Sequence, residues 1–126
     1  MQTTNLNHVG TEHAEWKNAL GFYKDELEIF KTRLTEIASK NTGKETMQMV
    51  EHFQNQFIIQ SEKIDILIHD INEHLSYGAK EMQLHRGEIS SNQLSAHRFL
   101  KNRFESEQKI FSGIKEEFEH FSSKVM

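Results

Sequence analysis

Ten positions near the start of the chain, Leu6, Val9, His13, Trp16, Leu20, Tyr23, Leu27, Phe30, Leu34 and Ile37, follow one another by alternating steps of three and four. Such steps return to one face of a helix and would scatter over both faces of a strand. All but His13 are apolar or aromatic. Lys17, Lys24 and Lys31 flank one side of the stripe, and Glu12, Glu26 and Arg33 the other. Their long stems can cover the edges of a buried seam, as in a coiled coil. The chain contains no proline, so nothing in it removes a backbone donor from a helix interior.

Two more stripes share this pattern. The second reads Val50, Phe53, Phe57, Gln60, Ile64, Leu67, Ile71, His74 and Gly78, broadened by Met47, Ile68, Leu75 and Met82. The third reads His97, Leu100, Phe104, Glu107, Phe111, Ile114, Phe118, Phe121 and Val125. Asn41-Thr42-Gly43 separates the first two, with Thr42 and Glu45 spaced as a capping box. Arg86-Gly87 closes the second; Ser90 with Gln93 forms another box, bracketed by Ile89 and Leu94 as a hydrophobic staple. The first helix could instead start at a Thr11 cap, leaving Leu6 and Val9 in a preceding arm. The pattern predicts one all-α domain over residues 1–126, an antiparallel up-down-up bundle of three long helices at about 8–40, 43–85 and 90–125. Ile29, Ile58, Ile59, Ile66, Phe99 and Ile110 fall beside or outside the stripes. They either widen the buried face or mark a surface completed by oligomerisation or a partner helix.

Composition removes several functions. The absence of cysteine excludes disulfides, thiolate metal sites and thiol nucleophiles, and fits a reducing cytoplasm. A net charge of −4 argues against a general nucleic-acid binder. No segment reads as a secretory signal or a membrane span. No G-x-S-x-G elbow or glycine-rich phosphate loop is present. The single E-x-x-H, Glu117 with His120, falls short of the two that di-iron carboxylate bundles use, and reads as a solvated face. Histidine–glutamate pairs such as His8 with Glu12 and His69 with Glu73 do not recur in a hemerythrin-like order. His52, in the amide-rich stretch 51–57, projects outward and could approach His120.

The remaining signal is five polar residues on the apolar seams: His13, Gln60, His74, His97 and Glu107. Counting antiparallel levels from the two turns places His13 beside Asp70, and beside helix three near Glu107. His74 then lies about one turn further along and His97 about one turn beyond that, the four polar positions spreading over roughly 12–15 Å. Gln60 comes level with Tyr23, where an amide–phenol bond would satisfy both. His13, His74 and Glu107, with His97 and Asp70 in reserve, make a candidate zinc or iron site. Otherwise they pair with one another, and no cofactor is needed. The simplest functional expectation is a non-enzymatic helical scaffold that binds itself or another protein through an apolar helix face. The alternative is a small metal-binding bundle.

Overall fold

A computed structural model describes residues 6–84 and 91–126, and side chains within them except at 6–8, 79 and 81–84. Three helices, α1 (Leu6–Lys40), α2 (Lys44–Leu84) and α3 (Ser91–Val125), run antiparallel in sequence. All three pairs touch, α1 with α2 most extensively. α1 includes the turn before Thr11 that could have been an arm. No helix among the described residues is long and apolar enough to cross a membrane.

The three stripes meet as the core. Every buried apolar residue among the described residues, from Trp16 to Phe121, is a stripe position. Met47, Ile68 and Leu75 pack partly buried against them. One end of the bundle is aromatic, with Phe30, Phe53, Phe57 and Phe118 in tilted and edge-on contact at centroid separations of 5.1–6.0 Å. Those geometries set the negative ring faces against positive edges. The residues beside the stripes do not widen the core: Ile29, Ile58, Ile59, Ile66, Phe99 and Ile110 are all exposed.

The first turn differs in detail from the expected capping box. Asn41 closes α1, its backbone N and its side-chain Nδ2 both donating to the Ile37 carbonyl (3.1 and 2.9 Å). The first α2 bond then runs from Met47 N to the Gly43 carbonyl (3.0 Å), which makes Gly43 the N-cap and leaves Thr42 outside the helix. Asn41 satisfies a terminal carbonyl that would otherwise be orphaned, and glycine is an accepted N-cap. The expected cap at Ser90, the staple residue Ile89, Arg86-Gly87 and the side chains of Leu6 and Met82 lie outside the described residues.

Axial register also departs from a simple level count. Phe30 packs on Phe57, one turn past the level of Phe53. Side chains lean towards the N-terminus of their own helix. Two antiparallel helices therefore meet through residues lying C-terminal to the matching Cα level on both. Between α2 and α3 the displacement has the opposite sense, which the lean does not explain: His97 meets His74 one turn earlier than the count from the second connection. Counted from His13, both displacements move the α3 partner the same way, so α3 presents His97 to His13 where Glu107 was expected.

The seam assignment predicts a sharp contrast between faces. Phe53→Ala should cost about 3–5 kcal/mol, through lost burial plus a cavity. Ile29→Ala, on the exposed side, should stay within about 0.5 kcal/mol. Urea denaturation of the two variants checks this.

Candidate metal centre

Three seam positions, one from each helix, converge about two turns from one end of the bundle. His13 lies on α1, His74 on α2 and His97 on α3. Each offers a ring nitrogen, and the three nitrogens all lie within 4.8 Å of one another. His13 Nε2 and His97 Nδ1 are 3.0 Å apart in a hydrogen bond. His13 is 1% exposed and His97 5%, while His74 is half-buried. Three imidazole nitrogens bound to a tetrahedral ion at about 2.0–2.1 Å stand roughly 3.3–3.4 Å apart. The observed spacings bracket that value, so small ring rotations would be enough to close the site.

Trp16 roofs the cluster. Its indole stacks on His97 (centroids 4.9 Å, interplanar 26°) and meets His13 at 5.1 Å. Phe104 also stacks on the indole, with centroids 6.0 Å apart. At the rim, His97 Nε2 lies 3.3 Å from Glu12 Oε1, and Lys101 Nζ lies 3.7 Å from Glu12 Oε2. His13 Nδ1 is buried and has no hydrogen-bond partner among the described residues. Leaving such a buried group unsatisfied costs about 1–3 kcal/mol.

The electrostatics favour neutral rings at His13 and His74. Burial, together with the nearby His97 and His74 rings, pushes the His13 imidazole down to about 4; Glu12 opposes this and Lys17 adds to it. Burial and then His97 lower the His74 imidazole as well. A neutral imidazole carries the lone pair a metal ion needs.

Of the five residues that the sequence put forward, the structure brings His13, His74 and His97 together and places Asp70 and Glu107 elsewhere. Asp70 accepts a 2.6 Å bond from Arg103 Nη1 across the α2–α3 face. Glu107 lies ten residues along α3 from His97, about 15 Å down the axis. There it faces Gln60, which, turned with its amide nitrogen towards the carboxyl group, donates to Oε2 at 3.2 Å and also to Oε1. Gln60 is thus paired with Glu107, and the expected partner Tyr23 instead stacks on Phe111 at 4.4 Å. Burial pushes the Glu107 carboxyl up to about 7, against the opposing pull of the Lys63 ammonium. His52 Nε2 faces Glu117 Oε1 at 3.4 Å on the surface. The sequence shows Glu12 as a flank of the first seam and as a partner in spacing for His8, not as a neighbour of His97; its place beside His97 follows from the register of α3.

No family model matches the chain, and comparison with curated proteins and with solved structures finds no match.

The two buried layers predict opposite pH dependences. His13 has a folded value near 4 against an ordinary 6.5. Between those values the unfolded chain binds the extra proton. Its contribution is therefore present above 6.5 and lost as pH falls towards 4, on the order of 3 kcal/mol at full effect. Glu107 has a folded value near 7 against an ordinary 4.5. There the folded chain holds the extra proton, so stability falls as pH rises through that window. Denaturation of Glu107→Gln should match the parent near pH 4.5 and exceed it at pH 8; His13→Leu should weaken the acid-side loss.

Proposed function

We propose that the chain binds a divalent transition-metal ion, zinc foremost, through His13, His74 and His97. The observation that carries this reading is the convergence of three imidazole nitrogens, one from each helix, within 4.8 Å. Two further features support it. Burial holds the His13 and His74 rings neutral, and a buried nitrogen of His13 has no partner among the described residues. The trio contains no carboxylate, which moves the expectation from iron towards the imidazole-rich sites of zinc, copper or nickel. The role proposed is binding, with one ion tying together all three helices of the bundle.

An interaction scaffold is the second reading, and a separate surface favours it. Ile66 (56% exposed), Phe99 (63%) and Ile110 (42%) line one groove between α2 and α3. Lys63 and Arg103 also line it, and the Arg103 guanidinium lies 5.9 Å from the Phe99 ring. The two readings concern different parts of the bundle and can hold together.

The metal reading is tested on untagged protein by titration with zinc, followed by dialysis and elemental analysis. One ion per chain should be retained. At 100 times the dissociation constant, binding adds about 2.7 kcal/mol of stability and raises the melting temperature. The only tryptophan, Trp16, is in contact with two of the three rings, so cobalt or copper should quench its fluorescence in step with binding. His74→Ala, at the least buried of the three, should weaken zinc binding at least 100-fold while the chain stays folded. Absence of stoichiometric binding, or equal binding by His74→Ala, contradicts the reading. For the scaffold reading, sedimentation of the parent should show an assembly that Phe99→Glu dissolves; a parent that stays monomeric at high concentration contradicts it.

A further inference from the structure

Resting on that metal reading, we infer that Glu12 is a positioning residue for the site: it fixes the proton of His97 on Nε2 and so directs the Nδ1 lone pair towards the metal position. The geometry runs as a continuous chain. Lys101 Nζ stands 3.7 Å from Glu12 Oε2, Glu12 Oε1 stands 3.3 Å from His97 Nε2, and His97 Nδ1 stands 3.0 Å from His13 Nε2. An ionised carboxylate can only accept hydrogen bonds, so the His97 nitrogen facing it is the N–H. In the neutral ring the other nitrogen, Nδ1, is then the acceptor and the potential ligand. Nδ1 is also the nitrogen turned towards His13, on the side where the three rings converge.

The same assignment accounts for the unpartnered nitrogen. If His97 Nδ1 accepts, His13 Nε2 donates to it, and His13 Nδ1 is left as a bare lone pair with no partner among the described residues. In the metal-free state the cluster thus has a directed hydrogen bond between two rings and one unmet acceptor. Taking up an ion exchanges the ring-to-ring bond for coordination, and the proton that bond used leaves to solvent or moves to the other His13 nitrogen. The His97 proton is not disturbed, because Glu12 holds it on the far side of the ring. Carboxylate–histidine–metal arrangements work in this way, fixing ring orientation and raising ligand basicity.

Lys101 gives the arrangement its polarity. It lies four residues after His97 on α3, one turn along the same face. Its ammonium faces the Glu12 oxygen that His97 does not use. The two partners thus engage different oxygens of one carboxylate. Glu12 precedes His13 on α1, so one turn of α1 supplies both a ligand and the group that orients a ligand from another helix.

The test has two arms, and the first needs no metal. Long-range ¹H–¹⁵N spectra of the metal-free protein above pH 7.5 should show His97 as the Nε2–H tautomer. Glu12→Ala should turn it into a mixture, and Glu12→Gln, whose amide oxygen can still accept, should restore it. In the second arm, Glu12→Ala should lower zinc affinity 10–100-fold at unchanged stoichiometry, with Glu12→Gln intermediate. An Nδ1–H tautomer in the parent, or a tautomer indifferent to Glu12→Ala, overturns the inference whether or not zinc binds. Failure of zinc to bind while the tautomer follows Glu12 overturns the metal reading and the metal-directing part of the inference, leaving only the proton assignment. A Glu12→Ala variant with parental affinity and a shifted tautomer shows that the orientation has no effect on binding, and also overturns it.

Discussion

Interlocking side chains along three apolar seams set how far each helix is slid against the next, and the buried polar groups on the seams meet their partners through that sliding. The seams recur at a strict alternation of three and four, so each helix buries one face. At the aromatic end, Phe30, Phe53, Phe57 and Phe118 engage one another closely. A displacement of a single turn there would carry Phe30 from Phe57 to another partner. At the opposite end it would carry His13 from His74 to Asp70. The histidine cluster is therefore a consequence of phenylalanine packing several turns away.

The polar interior is arranged in two separate layers. Near one end, three imidazoles meet beneath Trp16, and burial favours the neutral forms of His13 and His74. About 15 Å along the axis, Gln60 faces Glu107, where burial favours the protonated carboxyl. In each layer the interior opposes the charged state, which for histidine means stability lost in acid and for glutamate stability lost in base. Apolar seam residues, Leu100 and Phe104 among them, lie between the layers, so the two do not neutralise each other. A His13–Glu107 ion pair, which would have made the histidines ordinary structural partners, is ruled out by this distance. The imidazoles are left to one another and, at the rim, to Glu12.

The sequence made the helices and their buried faces plain, because a period near 3.5 residues is local information. It also singled out His13, His74 and His97, since a polar residue on a seam is visible without any structure. Which polar residues meet was much less legible. The level count treated side chains as standing straight out from the axis, whereas they lean towards the N-terminus, and the lean in two antiparallel helices adds. The lean explains why His74 rather than Asp70 meets His13 and why Gln60 lies away from Tyr23, whereas Glu107 is carried away from His13 by the opposite shift between α2 and α3. Turn chemistry misled by one residue for a similar reason: Thr42 has a good capping spacing, but Asn41 closes α1 early enough for Gly43 to take the cap. Glu12 reads from sequence as a charged flank and a neighbour of His8, because nothing in its own spacing reveals that α3 brings His97 against it.

The central claim is that three imidazoles from three helices form one coordination site. Zinc X-ray absorption on protein loaded with one equivalent tests it most directly, since the fine structure counts the atoms bound to the metal and recognises imidazole rings by scattering from their more distant atoms. The account predicts three imidazole nitrogens at about 2.0–2.1 Å, with a single light-atom ligand completing the shell. An all-oxygen shell, or one containing a single imidazole, would contradict it.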